Sequence, residues 1–216
     1  RDLVLKGYKP SSIRLLLASI PYRHQLNFTF DGLMQAASNV EKLRNFHARL
    51  KADQFPEGES ATVFQHAQNA RNSMRAALED DLNTARAQAA IFDLIRTVNA
   101  AMDAGQVWRG DIPHLLQALQ EFDQIFAVLK DDDVPKMKTT LEWATSSGRG
   151  QDISPELLVA VGSGAMSDAE IQDKIDQMQA ARRSRNFTLA DSIRTELTAA
   201  GILVEQTKDG VRWRRK

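Results

Sequence analysis

Apolar residues recur at intervals of three and four along most of this chain, and this helical periodicity limits its fold more than any other feature. The clearest stripe predicts a helix that opens at Asp31 and extends to Leu50. Further runs predict helices over residues 60–78 and 84–102, and a fourth helix that Asp111 caps. Because the connections are short, neighbouring helices should be antiparallel. The sequence therefore predicts a mainly α fold with an antiparallel helix bundle.

The periodicity breaks down between residues 131 and 164. This stretch holds the acidic run 131–133, a Ser/Gly-rich segment at 146–150 and Gly162-Ser163-Gly164. We interpret it as a flexible linker, with room for one short helix that would begin at Ser154-Pro155.

A different pattern follows the linker. A capping box at 167–170 predicts a helix that runs toward Arg185, and a second helix is predicted from Thr188 to Ala200. Two short strands flank Asp209-Gly210, which is a tight-turn signal. Residues 165–216 are therefore predicted to form a small α+β domain that ends in a β-hairpin.

The last strand of this hairpin has two different faces. Side chains alternate across a strand, so Val211 and Trp213 should point one way while Arg212 and Arg214 point the other. We expect the first pair to pack on the helices and the second pair to form a cationic face.

Charge is distributed unevenly although the net charge is zero. Residues 182–216 hold nine Lys and Arg against four Asp and Glu, a net of +5 that the rest of the chain balances. The basic end is the candidate for nucleic-acid binding. A solvated basic tail without a function is the competing interpretation.

The patterns typical of enzymes are missing from the sequence. It has no glycine-rich phosphate loop, nucleophile elbow or cysteine, and its four histidines stand singly. The acidic run 79–81 could bind magnesium, but a solvated helix-terminal turn explains it better. We expect no catalytic residue and no metal site here.

No segment has the composition of a signal peptide or a membrane helix, so the sequence predicts a cytoplasmic protein.

Three stretches resemble the cysteinyl-tRNA synthetases. Residues 1–28 resemble the segment that follows the KMSKS loop of this family, residues 77–94 its helical domain, and residues 181–216 its anticodon-binding end. The three occur in the family's order and together span most of the chain. Departures from the pattern are Pro21, Leu82 and Ala85, where histidine, phenylalanine and proline are usual, and Gln206, where an acid is usual.

The resemblance implies a division of the chain and of the reaction. Residues 1–30 would be a stem-contact region, 31–130 the helical bundle, 131–164 the linker and 165–216 the anticodon-binding domain. The catalytic domain, with its ATP site and its zinc, would lie upstream of Arg1, so this fragment would need no cofactor and would not catalyse a reaction. Its partners would be cysteine tRNA and its own catalytic domain, and we expect a monomer.

The resemblance also assigns RNA-binding residues. Arg182, Phe187 and Asp191 match positions that contact the anticodon, which is GCA in cysteine tRNA. Unpaired bases can stack on aromatic rings and be read along their edges by acids and arginines. Phe187, Asp191 and Arg194 share one face at helical spacing. The remaining candidates are stacking or phosphate contacts at Arg212, Trp213, Arg214, Arg215 and Lys216, and stem contacts at Arg14, Tyr22, Arg23 and Asn27.

Simpler structural roles compete with several of these assignments. Phe187 could be a core residue, Asp191 could form a surface ion pair with Arg194, and Trp213 could pack in the core. The alternative function is a helical protein–protein interaction module whose basic tail is incidental.

Overall fold

The helix bundle predicted from the periodicity is present. In the computed structural model, which describes residues 1–163, 168–184, 186–200, 202–207 and 210–215, the chain divides into two units, Lys9–Asp131 and Arg1–Tyr8 with Asp132–Lys216. The first unit contains five α-helices: α2 (Pro10–Leu17), α3 (Phe30–Ala52), α4 (Ala61–Glu79), α5 (Thr84–Asp103) and α6 (Ile112–Phe126). Their apolar stripes form one buried core, which includes Leu43, Phe46, Ile91, Leu119 and Phe122.

Short polar side chains fix where three of these helices begin. Ser60 accepts a hydrogen bond from the backbone nitrogen of Val63 at α4, and Asn83 accepts one from Arg86 at α5. The helix predicted to open at Asp31 begins earlier, because Thr29 caps it by accepting from the nitrogen of Gly32 at 3.0 Å.

Asp111 precedes α6 but does not cap it with its side chain. Its Oδ1 accepts a hydrogen bond from the nitrogen of Ser60 at 2.8 Å, and its Oδ2 accepts one from the nitrogen of Trp108 at 2.9 Å. The carboxylate is buried and fixes the start of α4 instead. The predicted cap is therefore wrong, because two backbone donors outside α6 compete for the same oxygens.

The second unit contains helices in the segment predicted to be a linker. Helices α7 (Asp133–Ser146) and α8 (Pro155–Ser163) lie there, where the sequence predicts one short helix only. The acidic run 131–133 leads into a helix and not into a linker. Asp133 is buried in the first turn of α7, and acids are favourable at a helix N-terminus. Ser154 does cap α8, since its hydroxyl accepts from the nitrogen of Leu157.

The beginning of the chain packs against this pair of helices. Helix α1 (Asp2–Leu5) contributes Leu5, which is buried. Met137 of α7 and Leu157 of α8 are buried as well. The carbonyl of Leu5 accepts a hydrogen bond of 2.9 Å from the nitrogen of Ser154. The division of the chain into domains at residues 30, 130 and 164 stays a prediction.

The C-terminal part of the second unit has the predicted α+β composition. Helices α9 (Asp168–Arg183) and α10 (Phe187–Ala199) precede the antiparallel strands β1 (Ile202–Thr207) and β2 (Gly210–Arg215). A separate apolar cluster joins the helices to the hairpin, with Ile171, Ile175 and Met178 from α9 and Ile193 and Leu197 from α10. The predicted cap at Ser167 and the first turn residue, Asp209, lie outside the described residues.

Candidate nucleic-acid interface

Helix α10 is held with one face inward. Asn186 caps it by accepting a hydrogen bond from the nitrogen of Leu189 at 3.2 Å. Ala190, Ile193 and Leu197 recur at helical spacing and are buried in the C-terminal cluster. Burial of these three side chains fixes the helix about its axis, so the opposite face points to solvent.

Three predicted site residues lie on α10 and are exposed. Phe187 is 62% exposed, which rules out the core role that competed with stacking. Asp191 and Arg194 are exposed as well, and no ion pair joins them. Within the described ranges neither of the two charged groups has a side-chain partner. The helix therefore presents an aromatic ring, a carboxylate and a guanidinium that are all free to bind something else.

Arg182 lies near these residues in sequence, in the last turn of α9, and is half-buried. An ion pair of 2.7 Å between Lys174 on α9 and Glu196 on α10 links the two helices. Arg182 is thus carried by a helix that is packed against α10 and paired with it.

The hairpin shows the predicted packing of one face. Val211 and Trp213 on β2 are half-buried against the C-terminal cluster, so Trp213 is mainly a packing residue. Arg212 stands between them in the sequence and is also half-buried. Arg214 and Arg215 belong to β2, but their side chains, like Lys216, lie outside the described residues. The cationic face of the hairpin stays a prediction.

The predicted stem contacts lie in the first unit. Arg14 is exposed on α2, and Asn27 is exposed in the segment before α3. Tyr22 and Arg23 are brought together at Asp81, which accepts a hydrogen bond of 3.1 Å from the Tyr22 hydroxyl and pairs with Arg23 Nε at 3.0 Å.

Asp81 belongs to the acidic run 79–81, for which the sequence predicts only a solvated helix-terminal turn. Asp81 and Leu82 both have left-handed backbone conformations, with φ of 56° and 51°, which is uncommon outside glycine and a sign of a constrained turn. The turn thus contacts Tyr22 and Arg23, which lie about sixty residues earlier in the chain. No local pattern identifies this role, because Tyr22 and Arg23 are distant from Asp81 in the chain.

The chain is similar over its whole length to known proteins. It is 51% identical to a cysteine–tRNA ligase of Koribacter versatilis and 44% identical to one of Solibacter usitatus, in each case over 100% of this chain. The whole chain matches the C-terminal part of cysteine–tRNA ligases. A cysteine–tRNA ligase of Leptospira interrogans is 31% identical over the same extent.

The chain spans less than half of these cysteine–tRNA ligases, 44% of the first and 40% of the other two, and corresponds to their C-terminal part. Residues 73–130 match the DALR domain. This match begins within α4 and includes α5 and α6, so it contains the Asp81 turn.

Among the described residues, no group of three or more His, Cys, Asp and Glu could hold a metal ion. Within the same residues, no helix is long and apolar enough to cross a membrane.

Proposed function

We propose that this chain is the tRNA-binding, C-terminal part of a class I cysteine–tRNA ligase, and that the exposed face of α10 reads the GCA anticodon. The observation that carries the proposal is the uncommitted set Phe187, Asp191 and Arg194 on a helix whose other face is buried. The similarity of the whole chain to the C-terminal part of cysteine–tRNA ligases supports it. The cytoplasmic setting and the monomeric state remain predictions that accompany it.

The three side chains suit unpaired nucleotides. An exposed phenyl ring can stack on a base, which is worth roughly 1–3 kcal/mol per base. A carboxylate can accept a hydrogen bond from a base amino group, which is a contact that depends on sequence. A guanidinium can bind phosphate or stack on a base, and the remaining arginines of the hairpin would hold phosphates without reading sequence.

The stem-contact role of Tyr22 and Arg23 is a second part of the proposal. Both side chains are exposed, and both contact Asp81, which places them side by side on one surface. Arg14 and Asn27 are exposed and would add to this contact. The aminoacylation reaction, with its ATP and zinc, would belong to the N-terminal part of the ligase and not to this fragment.

A filter-binding titration separates this function from the alternative of a protein–protein interaction module. The chain is titrated with cysteine tRNA and with the same tRNA carrying another anticodon, at two salt concentrations. Anticodon recognition predicts a preference for GCA that persists at the higher salt. A merely basic tail gives weak binding that falls equally for both RNAs as salt rises.

Asp191→Ala tests the site itself. The variant should lose most of the preference between the two anticodons, a change of about 1–3 kcal/mol. Glu142→Ala is the control, since it also removes one exposed acid but lies on α7. Lys216→Ala should weaken both RNAs about equally, because a phosphate contact carries no sequence information. Unchanged discrimination in Asp191→Ala would exclude the proposed reading of the anticodon.

A further inference from the structure

A cleft lies between α3, α6 and the loop after α6, and none of its lining residues belongs to the proposed RNA surface. Its volume is ≈ 610 Å³, which is within the range of small-molecule sites, roughly 300–1,000 Å³. Helix α3 contributes His47 and Lys51, and helix α6 contributes Gln120 and Gln124. Each pair is four residues apart, so each helix directs both of its side chains to the same side.

The loop that closes the cleft is fixed from both helices. Asp123 Oδ1 accepts hydrogen bonds from the backbone nitrogens of Val128 at 2.7 Å and Leu129 at 2.8 Å. From α3, Arg44 donates to the carbonyl oxygens of Val128 at 2.9 Å and Lys130 at 3.0 Å. Contacts within the protein therefore fix the backbone that carries Lys130, which lowers the entropic cost of binding.

The cleft has a polar and an apolar part. Across the described part of the chain, the side chains of Lys51, Lys130, Gln120 and Gln124 have no hydrogen-bond or ion-pair partner. The Asp123 carboxylate faces the same space, where its Oδ1 accepts two backbone hydrogen bonds. Its negative charge offsets one of the two lysines, so the cleft keeps one net positive charge from these three groups. Half-buried Leu116 and Leu129 supply apolar wall.

These features define a ligand. Two ammonium groups favour an anion, and lysine suits phosphate as a compact point charge. Side-chain amides can both donate to and accept from the edge of a planar polar group. The leucines offer surface to a flat apolar body. A nucleotide combines all three properties.

We propose that this cleft binds a nucleotide, with its phosphate between Lys51 and Lys130 and its base against Leu116 and Leu129. A free mononucleotide and a single nucleotide of an RNA strand share this chemistry. The inference does not depend on the anticodon-reading role of α10. All residues that line the cleft belong to the first unit, whereas α10 belongs to the second.

The imidazole of His47 reports on occupancy. Burial, together with the charge of Lys51, lowers the pKa of His47, while Asp123 acts in the opposite direction. A bound phosphate would favour the protonated ring and raise this pKa again. NMR of the chain with 15N-labelled histidine therefore detects binding, with adenosine monophosphate as the probe.

Four titrations are compared: adenosine monophosphate, inorganic phosphate, adenosine, and a short single-stranded RNA. Adenosine monophosphate should shift the His47 signals saturably and raise the His47 pKa. Phosphate alone or adenosine alone should bind at least about tenfold more weakly than adenosine monophosphate, because each makes only half of the contacts. RNA binding more tightly than the mononucleotide would identify an RNA strand as the source. Unchanged His47 signals with both adenosine monophosphate and RNA would overturn the proposal.

Variants test whether the lysines are specific. Lys51→Gln and Lys130→Gln should each weaken the mononucleotide about tenfold or more, and both positions are exposed, so the fold should be retained. Lys42→Gln is the matched control, because Lys42 is exposed on the same helix and nine positions from Lys51, which places it on the opposite side. Equal weakening by all three variants would show diffuse attraction only and would reject the site.

Discussion

Asp111 Oδ1 accepts a hydrogen bond of 2.8 Å from the backbone nitrogen of Ser60, which precedes it by 51 positions. Its second oxygen accepts from the nitrogen of Trp108, and the side chain is buried. Asp111→Ala leaves two backbone donors without an acceptor. We expect it to lower the free energy of unfolding by about 2–4 kcal/mol, measured by urea denaturation.

Asp103→Ala serves as the control for this variant. The Asp103 carboxylate pairs with Arg49 at 3.0 Å but is 69% exposed, so its loss should cost about 0–1 kcal/mol. Similar losses of unfolding free energy in the two variants would mean that the buried Asp111 carboxylate stabilises the fold no more than an exposed ion pair does.

Glu121 on α6 gives the first unit a dependence on acid. Arg71 on α4 donates to both of its oxygens, with Nε at 3.0 Å from Oε2, and this hydrogen bonding is the main reason why the pKa of Glu121 is lowered. Since the folded pKa is below the unfolded one, the stabilisation is present above the usual pKa of 4.5 and is lost as pH falls through the folded pKa.

Glu121→Gln should therefore destabilise the protein at pH 7, by about 1 kcal/mol, and the difference from the natural chain should shrink as pH falls below 4.5. Thermal denaturation across this range measures it. Glu79→Gln removes an exposed acid of the same bundle and should have little effect at either pH. A difference that stays constant with pH would contradict the role given to the Arg71 pair.

His47 should have a separate effect at higher pH. Burial lowers its pKa below the usual 6.5, so the unfolded chain binds a proton more readily than the folded one. The corresponding stability is present above pH 6.5 and is lost as pH falls from there through the folded pKa. His47→Gln should flatten the pH dependence in this window, whereas His24→Gln, at an exposed position, should not. Denaturation at half-unit pH steps distinguishes the two.

Much of the fold could be predicted from local patterns. Helical periodicity located α3 to α6 to within a residue or two, and alternation of side chains predicted which face of β2 packs. The exposed set on α10 followed from spacing together with family resemblance, because residues three and four apart share a face. These features depend on neighbours in sequence, which the pattern contains.

Errors arose where a distant contact decides the outcome. The role of Asp111 depends on Ser60, and the role of Asp81 depends on Tyr22 and Arg23, which no local pattern reveals. Residues 133–163 are polar and rich in small residues, yet they form helices that pack with α1 at the other end of the chain. Tertiary packing outweighed weak local propensity there.

Phe187→Ala tests whether the exposed ring contributes to RNA binding. Loss of one stacked base should weaken cysteine tRNA binding by roughly 1–3 kcal/mol, while stability should hardly change because the ring is 62% exposed. Leu158→Ala is the control, an exposed apolar residue on α8. Filter binding measures affinity and circular dichroism measures stability. Loss of stability without loss of affinity would indicate a packing residue instead.

Gly7 connects α1 to the rest of the chain in a conformation that other residues avoid. Its φ is +87°, and a Cβ atom there would lie 2.7 Å from Cβ of Glu156 and 3.2 Å from its carbonyl carbon. Gly7→Ala therefore suffers both a left-handed backbone, which costs roughly 1–2 kcal/mol, and a collision with α8, which costs roughly 1–3 kcal/mol. Gly105 has a φ of +68° but nothing within 4 Å of its Cβ position. Gly105→Ala should show the backbone cost alone, so urea denaturation should find Gly7→Ala the more destabilised by about 1–3 kcal/mol. Equal losses would mean that α8 yields to the added methyl group and that the close approach of α1 to α8 is not needed for stability.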